Sequence, residues 1–352
     1  MEQEKFIEQE PGPKFETLGK LFGENFNPEK TIKLEKDLDE DNEPRELGNY
    51  ESYWTEFKNP DSNEVVEGKV YLPKDGTAKD ILIISPGYKG DFALQEAKYA
   101  DDFARDGRAV IFLRHNGLRI EGDDVKNYIH CPEKQEEASE KKQKYIGKEE
   151  KFSWNKANRE ILTALKSLGN KIDDIGKIDI IGHSWGGSIA VNSMAELHRD
   201  ESEVAKKIEQ KIDNVILMGA MLETRPEIFE NYREFFESEA GKDYFKGMDA
   251  EAVMNDLISD GEAIGKMTAK DLPLNVRLVG VESVADADID LQGETLPFFT
   301  RMKELNRKGN IVFKDLKEFA MPEKIGGRDT EVHDYPLDRV RKWIGKIIEN
   351  KR

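Results

Sequence analysis

A single cysteine, Cys131, stands among the 352 residues. No intramolecular disulfide can form, and no cysteine-based zinc cluster can be assembled. Positive charge is also short: 54 Lys and Arg face 72 Asp and Glu, a formal net charge of −18. With a pI near 5 and no basic stripe, the chain is poorly suited to phosphate backbones or anionic membrane surfaces. No apolar run approaches the roughly 18 residues that a membrane span needs. The opening MEQEKFIEQEPGPKFE mixes charges without an apolar core segment, so no secretory signal is visible and a cytoplasmic home is the expectation.

What is present is organised. Residues 1–47 are polar and acidic, with Asp37, Asp39, Glu40, Asp41 and Glu43 close together, and read as a flexible extension. From Tyr50 the pattern changes. YWTEFK and EVVEGKVYLP alternate around the turn residues NPDSN, which predicts an antiparallel hairpin. Six further apolar runs follow: DILIISPG, RAVIFLRHNG, KIDIIG, NVILMGAML, NVRLVGV and NIVFKDL. Continuous apolar runs of this length suit strands buried on both faces.

Helical patterns lie between these runs. One begins near Asp91 and stops at Gly107. Another carries Trp154, Ala157, Ile161, Leu165 and Leu168 as a stripe ending at Gly169. A final one places Leu337, Val340, Ile344 and Ile347 on one face. Residues 118–151 are charged and irregular, with i,i+4 pairs such as Glu137 and Lys141 pointing to some exposed helix. Residues 223–272 contain no strand pattern and read as a helical insertion, with Phe229, Tyr232, Phe235 and Phe236 along one helix. Alternating strands and helices predict a mainly parallel sheet covered on both faces.

The stretch GHSWGG, residues 182–187, carries the chemistry. Gly-x-Ser-x-Gly alone arises by chance in roughly one chain in ten at this length. Its context narrows the reading: a strand before it, a helix after it, and a third glycine at Gly187. A sharp strand-to-helix turn presents a serine only if its close neighbours lack side chains, and Gly182 and Gly186 meet that need. Ser184 would stand at a helix N-terminus, and the N–H of Trp185 would face a developing oxyanion. The alternative is a glycine-rich turn with a passive serine.

The remaining parts occur in the order such a turn requires. The first buried strand ends in SPGYKGD, so Tyr88 N–H is the natural second oxyanion donor. His333, in RDTEVHDYP, is the sole histidine after His198 and the available base. His115, at the end of the neighbouring strand, could line the pocket or serve the fold. The acid is open. Asp286 begins Asp-Ala-Asp-Ile-Asp, with Ile289 able to tuck beneath it. Glu282 lies closer to its strand, and Glu223 after the preceding strand is a further possibility.

From Tyr50 onward these residues resemble the α/β-hydrolase superfamily, in particular its esterase, lipase and prolyl-peptidase-like branches. The resemblance rests on GHSWGG, the Ser…Asp…His order and the strand–helix alternation. It implies an α/β-hydrolase domain over residues 48–352: a mainly parallel eight-stranded sheet, helices on both faces, and a helical cap over residues 223–272. It implies a serine hydrolase with catalytic Ser184, Asp286 and His333 and an oxyanion hole of Tyr88 and Trp185, needing no metal or organic cofactor. A small acyl compound is the expected substrate. A peptidase, or a non-catalytic binding protein on the same scaffold, remains the competing expectation.

Overall fold

The computed structural model describes residues 37–38, 44–45, 50–73, 78–87, 96–115, 153–223, 250–282, 291–304, 311–315 and 338–349. Within the acidic N-terminal stretch, Asp37–Leu38 (β1) pairs antiparallel with Pro44–Arg45 (β2). All eight strands expected from Tyr50 onward are present. They are Tyr50–Lys58 (β3), Val65–Pro73 (β4), Asp80–Ser85 (β5), Arg108–Leu113 (β6), Ile178–His183 (β7), Ile212–Met218 (β8), Arg277–Glu282 (β9) and Ile311–Asp315 (β10). They form one sheet in the order β10-β9-β8-β7-β5-β6-β4-β3. The β3–β4 and β4–β6 pairings are antiparallel, and the other five are parallel.

The opening hairpin closes through NPDSN. Asn59 Oδ1 accepts from the Asp61 N–H at 2.9 Å, and Asn63 takes a left-handed backbone with φ 59°. Asparagine tolerates that conformation better than most residues. The register follows, with Trp54 opposite Lys69 and Phe57 opposite Val66.

Successive residues of the central strands feed opposite cores. Ile81 and Ile83 of β5 join one apolar cluster, while Leu82 and Ile84 join the other. This period of two explains the unbroken apolar runs, because neither face meets water. Trp154–Ala157 (α2), Glu160–Ser167 (α3), Trp185–Arg199 (α4), Glu203–Lys211 (α5), Ala250–Lys266 (α6) and Leu296–Glu304 (α7) contribute buried side chains to the first cluster. Glu96–Arg105 (α1) and Asp338–Glu349 (α8) contribute to the second through Tyr99, Phe103, Val340 and Ile344.

Three features add to the sequence expectation. The Trp154–Leu168 stripe is buried, but its helix breaks at Asn158 and Arg159; Arg159 adopts φ −107° and ψ 4° before α3 resumes. Helix α5 carries only a short apolar stripe, Ala205 and Ile208 buried with Val204 packed beside them, and its start is set by Ser202, whose side chain caps Ala205 N–H at 3.2 Å. Helix α6 lies in the stretch read as a cap. It buries Val253, Met254, Leu257 and Ile264 in the first cluster and contacts α2, α4 and α7. Residues 224–249, with the four aromatics assigned to the cap, lie outside the described residues.

Opposite the strands' C-terminal ends lies a buried polar cluster. Arg108, first in β6, donates to Asp179, second in β7, at 2.7 Å, and Asn214 donates to the same carboxylate at 2.7 Å. Burial pushes the Asp179 carboxyl up to about 6, with the Asn214 hydrogen bond and the Arg108 charge opposing it.

Candidate active site

At the C-terminal end of the central strand β7 the chain turns straight into α4, and Ser184 is the turning residue. Its backbone adopts φ 51° and ψ −119°. Only one other non-glycine residue among those described has positive φ, Asn63 in its turn. The serine conformation costs on the order of 1–3 kcal/mol and must be held by its surroundings. Three backbone bonds hold it: Ser184 N–H donates to Met218 O at 2.9 Å, while Ser184 O accepts from Gly187 N–H at 2.9 Å and Met221 N–H at 3.3 Å.

The glycines clear the space. A Cβ on Gly182 would stand 2.3 Å from Gly186 O, and one on Gly186 would stand 2.1 Å from Ser85 O. A Cβ on Gly187 would meet the Ala220 Cβ at 2.3 Å. Strand β7 and helix α4 thus approach each other, β5 and the loop after β8 more closely than any side chain permits. Ser184 is 7 % exposed and thus buried.

Trp185 opens α4, so its N–H belongs to the first helical turn, where amide dipoles favour negative charge. Its ring meets Trp154 edge to face, with centroids 5.1 Å apart. Beside the elbow, β5 ends at Ser85 and continues through Pro86 and Gly87. The Pro86 carbonyl lies 2.9 Å from His115 Nε2, and His115 Nδ1 lies 2.8 Å from Glu160 Oε2. His115 and Glu160 are both buried.

Glu282 closes β9 and is 1 % exposed. Its Oε1 accepts from Ala220 N–H at 3.0 Å, and Thr295 Oγ1 donates to Ala220 O at 3.3 Å. Ala220 is the residue against which Gly187 packs, so Glu282 stands one residue from the elbow. Glu223 is engaged differently: Arg301 Nη2 lies 2.6 Å from its Oε1, and Arg301 also donates to Met267 O and Ile264 O. That pairing ties the loop after β8 to α6 and α7.

Of the residues read from the sequence, Ser184, Trp185 and Glu282 therefore gather around one turn. Tyr88, Asp286 and His333 lie outside the described residues. Among the described residues no group of three or more His, Cys, Asp or Glu is placed to hold a metal ion, and no helix is long and apolar enough to cross a membrane. The sequence reading did not include Glu160. A signal existed, since Glu160 lies three residues after Ala157 and four before Ala164, where the helical stripe calls for an apolar side chain.

A family model described as "Alpha/beta hydrolase of unknown function (DUF900)" matches residues 135–236, the segment containing the elbow. None of the curated proteins matches the chain. Among solved structures, the fold is similar to that of fungal esterases from Rhizomucor miehei, with TM-score 0.50, 12 % identity, and 96 % of this chain and 87 % of that one covered. It is also similar to the esterase Est22, with TM-score 0.50, 14 % identity, and coverages of 85 % and 78 %.

Proposed function

Since this chain is an α/β-hydrolase-fold protein, we propose that it is a serine hydrolase acting on carboxylic esters of small acyl compounds, with Ser184 as nucleophile. The observation that carries the reading is the Ser184 backbone, held at φ 51° with three glycines clearing the turn. A passive serine has no use for that strain, whereas a nucleophile gains a place at a helix N-terminus from it.

In this reading Ser184 Oγ attacks the ester carbonyl. His333 takes the serine proton and returns it to the departing alkoxide. Water then repeats the sequence on the acyl-enzyme. Trp185 N–H and Tyr88 N–H hold the oxyanion, each worth about 3 kcal/mol in the transition state. Nucleophile, base and donors all come from the chain, so neither metal nor organic cofactor takes part. A cytoplasmic setting is part of the proposal.

Two carboxylates compete to orient His333. Asp286 fits the sequence order. Glu282 is favoured by its position, buried at the end of β9 and steadied by Ala220 N–H.

The test is labelling with a fluorophosphonate. Stoichiometric labelling that disappears in Ser184→Ala, together with Ser184-dependent hydrolysis of p-nitrophenyl esters, is expected. Folded wild-type protein that neither labels nor hydrolyses would leave a binding protein on the hydrolase scaffold.

A further inference from the structure

We propose that His115, held by Glu160, is a positioning residue for the loop that leaves β5. The proposal deepens the hydrolase reading and rests on it for its catalytic consequence. The observation is a buried chain of contacts: Glu160 Oε2 to His115 Nδ1 at 2.8 Å, then His115 Nε2 to Pro86 O at 2.9 Å. Glu160 is 2 % and His115 3 % exposed, so both groups have left water to make these contacts.

Both ring nitrogens face acceptors. A carbonyl cannot donate, so the Pro86 contact requires a proton on Nε2. Glu160 selects that form in either of two ways. As a carboxylate it accepts from Nδ1–H of an imidazolium; as a carboxylic acid it donates to a bare Nδ1. In both cases Nε2–H points at Pro86. Glu160 therefore fixes the ring and its donor, as outer carboxylates do for histidines in other sites.

The carbonyl it holds matters because of where it lies. The Pro86 oxygen belongs to the same planar peptide as Gly87 N–H, so fixing one directs the other. The elbow packs against the same turn: a Cβ on Gly186 would stand 2.1 Å from Ser85 O and 2.7 Å from Pro86 O. The Pro86 carbonyl thus lies close to the elbow glycine and is bonded by His115. The next residue but one is Tyr88, the proposed oxyanion donor. An oxyanion donor must stand within a few tenths of an ångström of its working position, and a 1 Å error can cost about 100-fold in rate.

The chain of contacts also links separate parts of the fold. Glu160 lies on α3, His115 follows β6, and Pro86 follows β5. Substituting either polar residue by an apolar one leaves a buried donor or acceptor without its partner.

The experiment compares wild type, His115→Gln, His115→Leu and Glu160→Gln. Glutamine at 115 retains an amide donor near the Nε2 position; leucine retains bulk alone. Turnover is expressed per fluorophosphonate-reactive Ser184, which removes any loss of folded protein. His115→Leu should lose about 10- to 100-fold in kcat with KM within about threefold, the pattern of a contact felt in the transition state. His115→Gln should recover most of that loss, and Glu160→Gln should fall between them. In parallel, amide hydrogen exchange is followed over residues 85–92, with Ser184→Ala as a control that leaves exchange unchanged. Exchange there should quicken in His115→Leu and return towards wild type in His115→Gln. Unchanged exchange in His115→Leu overturns the proposal, as does equal loss of kcat in the leucine and glutamine variants. If wild-type protein shows no Ser184-dependent hydrolysis, the hydrolase reading falls while the exchange measurement still decides whether His115 positions the loop.

Discussion

Trp154 and Trp185 meet at 86°, the edge of one ring against the face of the other, with centroids 5.1 Å apart. Trp154 is fully buried, and its Nε1–H donates to Asp260 on α6, a carboxylate that Asn158 Nδ2 also reaches at 2.8 Å. The contact therefore links α6 to the first residue of the elbow helix. Trp154→Ala should cost about 3–5 kcal/mol of stability in urea unfolding, the range for a buried aromatic removed to a methyl. Trp154→Phe keeps a ring but removes the N–H. Burial holds the Asp260 carboxyl above its ordinary value, and the Trp154 bond lowers it. Losing that bond raises it further, so the deficit of Trp154→Phe should widen from pH 4 to pH 8.

Gly187 and Ala220 form a second contact with a defined tolerance. Gly187→Ala brings two methyl carbons to 2.3 Å and should destabilise the protein and impair activity. Adding Ala220→Gly removes the nearer obstacle and leaves Ala220 Cα at 3.1 Å. The double variant should recover much of the stability lost by the single one, giving a positive coupling in a double-mutant cycle. Additive losses would show that the clash is relieved elsewhere.

Ser184 allows the strain in the elbow to be measured. Glycine accepts positive φ without penalty, whereas alanine retains the Cβ. Ser184→Gly should therefore be more stable than Ser184→Ala by about 1 kcal/mol in denaturant unfolding, after allowing for the entropy of an added glycine. Both should lack esterase activity. Equal stabilities would indicate that the turn relaxes once the hydroxyl is gone.

The cluster at the other end of β7 predicts a pH dependence. The Asp179 carboxyl sits at about 6 in the folded protein, above its ordinary 3.8. The folded state therefore binds the proton more tightly, and stability is highest below about 4 and falls as pH rises through 6. A shift of that size corresponds to about 3 kcal/mol. Asp200 acts in the opposite sense. Lys166 holds its carboxyl at about 2, chiefly through a hydrogen bond, so that contribution is present above about 4 and lost towards pH 2. Together these two groups should be most favourable near pH 4. Urea midpoints from pH 3 to 8 test this, and Asp179→Asn should flatten the decline between pH 4 and 7.

The identity of the acid is decided by two substitutions. If Glu282 orients His333, Glu282→Gln should lower turnover by several orders of magnitude, by analogy with about 10⁴-fold in a serine protease triad, while Asp286→Asn has a small effect. The reverse result assigns the role to Asp286. Glu223→Gln should leave turnover largely intact and lower stability, because Arg301 already holds that carboxylate.

The sheet was legible because its signals are local. Eight apolar or alternating runs became eight strands, since a run such as DILIIS can bury both faces only inside a covered sheet. The elbow was legible for the same reason: glycine spacing and strand–helix context lie within six residues. Helix α5 escaped because two buried side chains, Ala205 and Ile208, make too short a stripe. Glu160 escaped because its partner, His115, is 45 residues away in sequence. Periodicity reports which face of a helix is buried, not which polar group waits opposite it. The acid stayed open because a run with Glu282, Asp286, Asp288 and Asp290 offers several carboxylates within one loop, and composition alone does not orient any of them.

Strand β7 carries polar demands at both ends: Asp179 near its start and Ser184 just past its finish. Four residues of extended chain lie between them, a span of about 16 Å. One end holds a buried charge and the other a serine with strained backbone, the proposed nucleophile, with an apolar spacer, Ile180 and Ile181, between. That separation gives a handle for engineering. The Arg108–Asp179–Asn214 cluster can be rebuilt with apolar residues of matching volume to raise thermal tolerance, far enough from the elbow that the two sets of changes should combine additively.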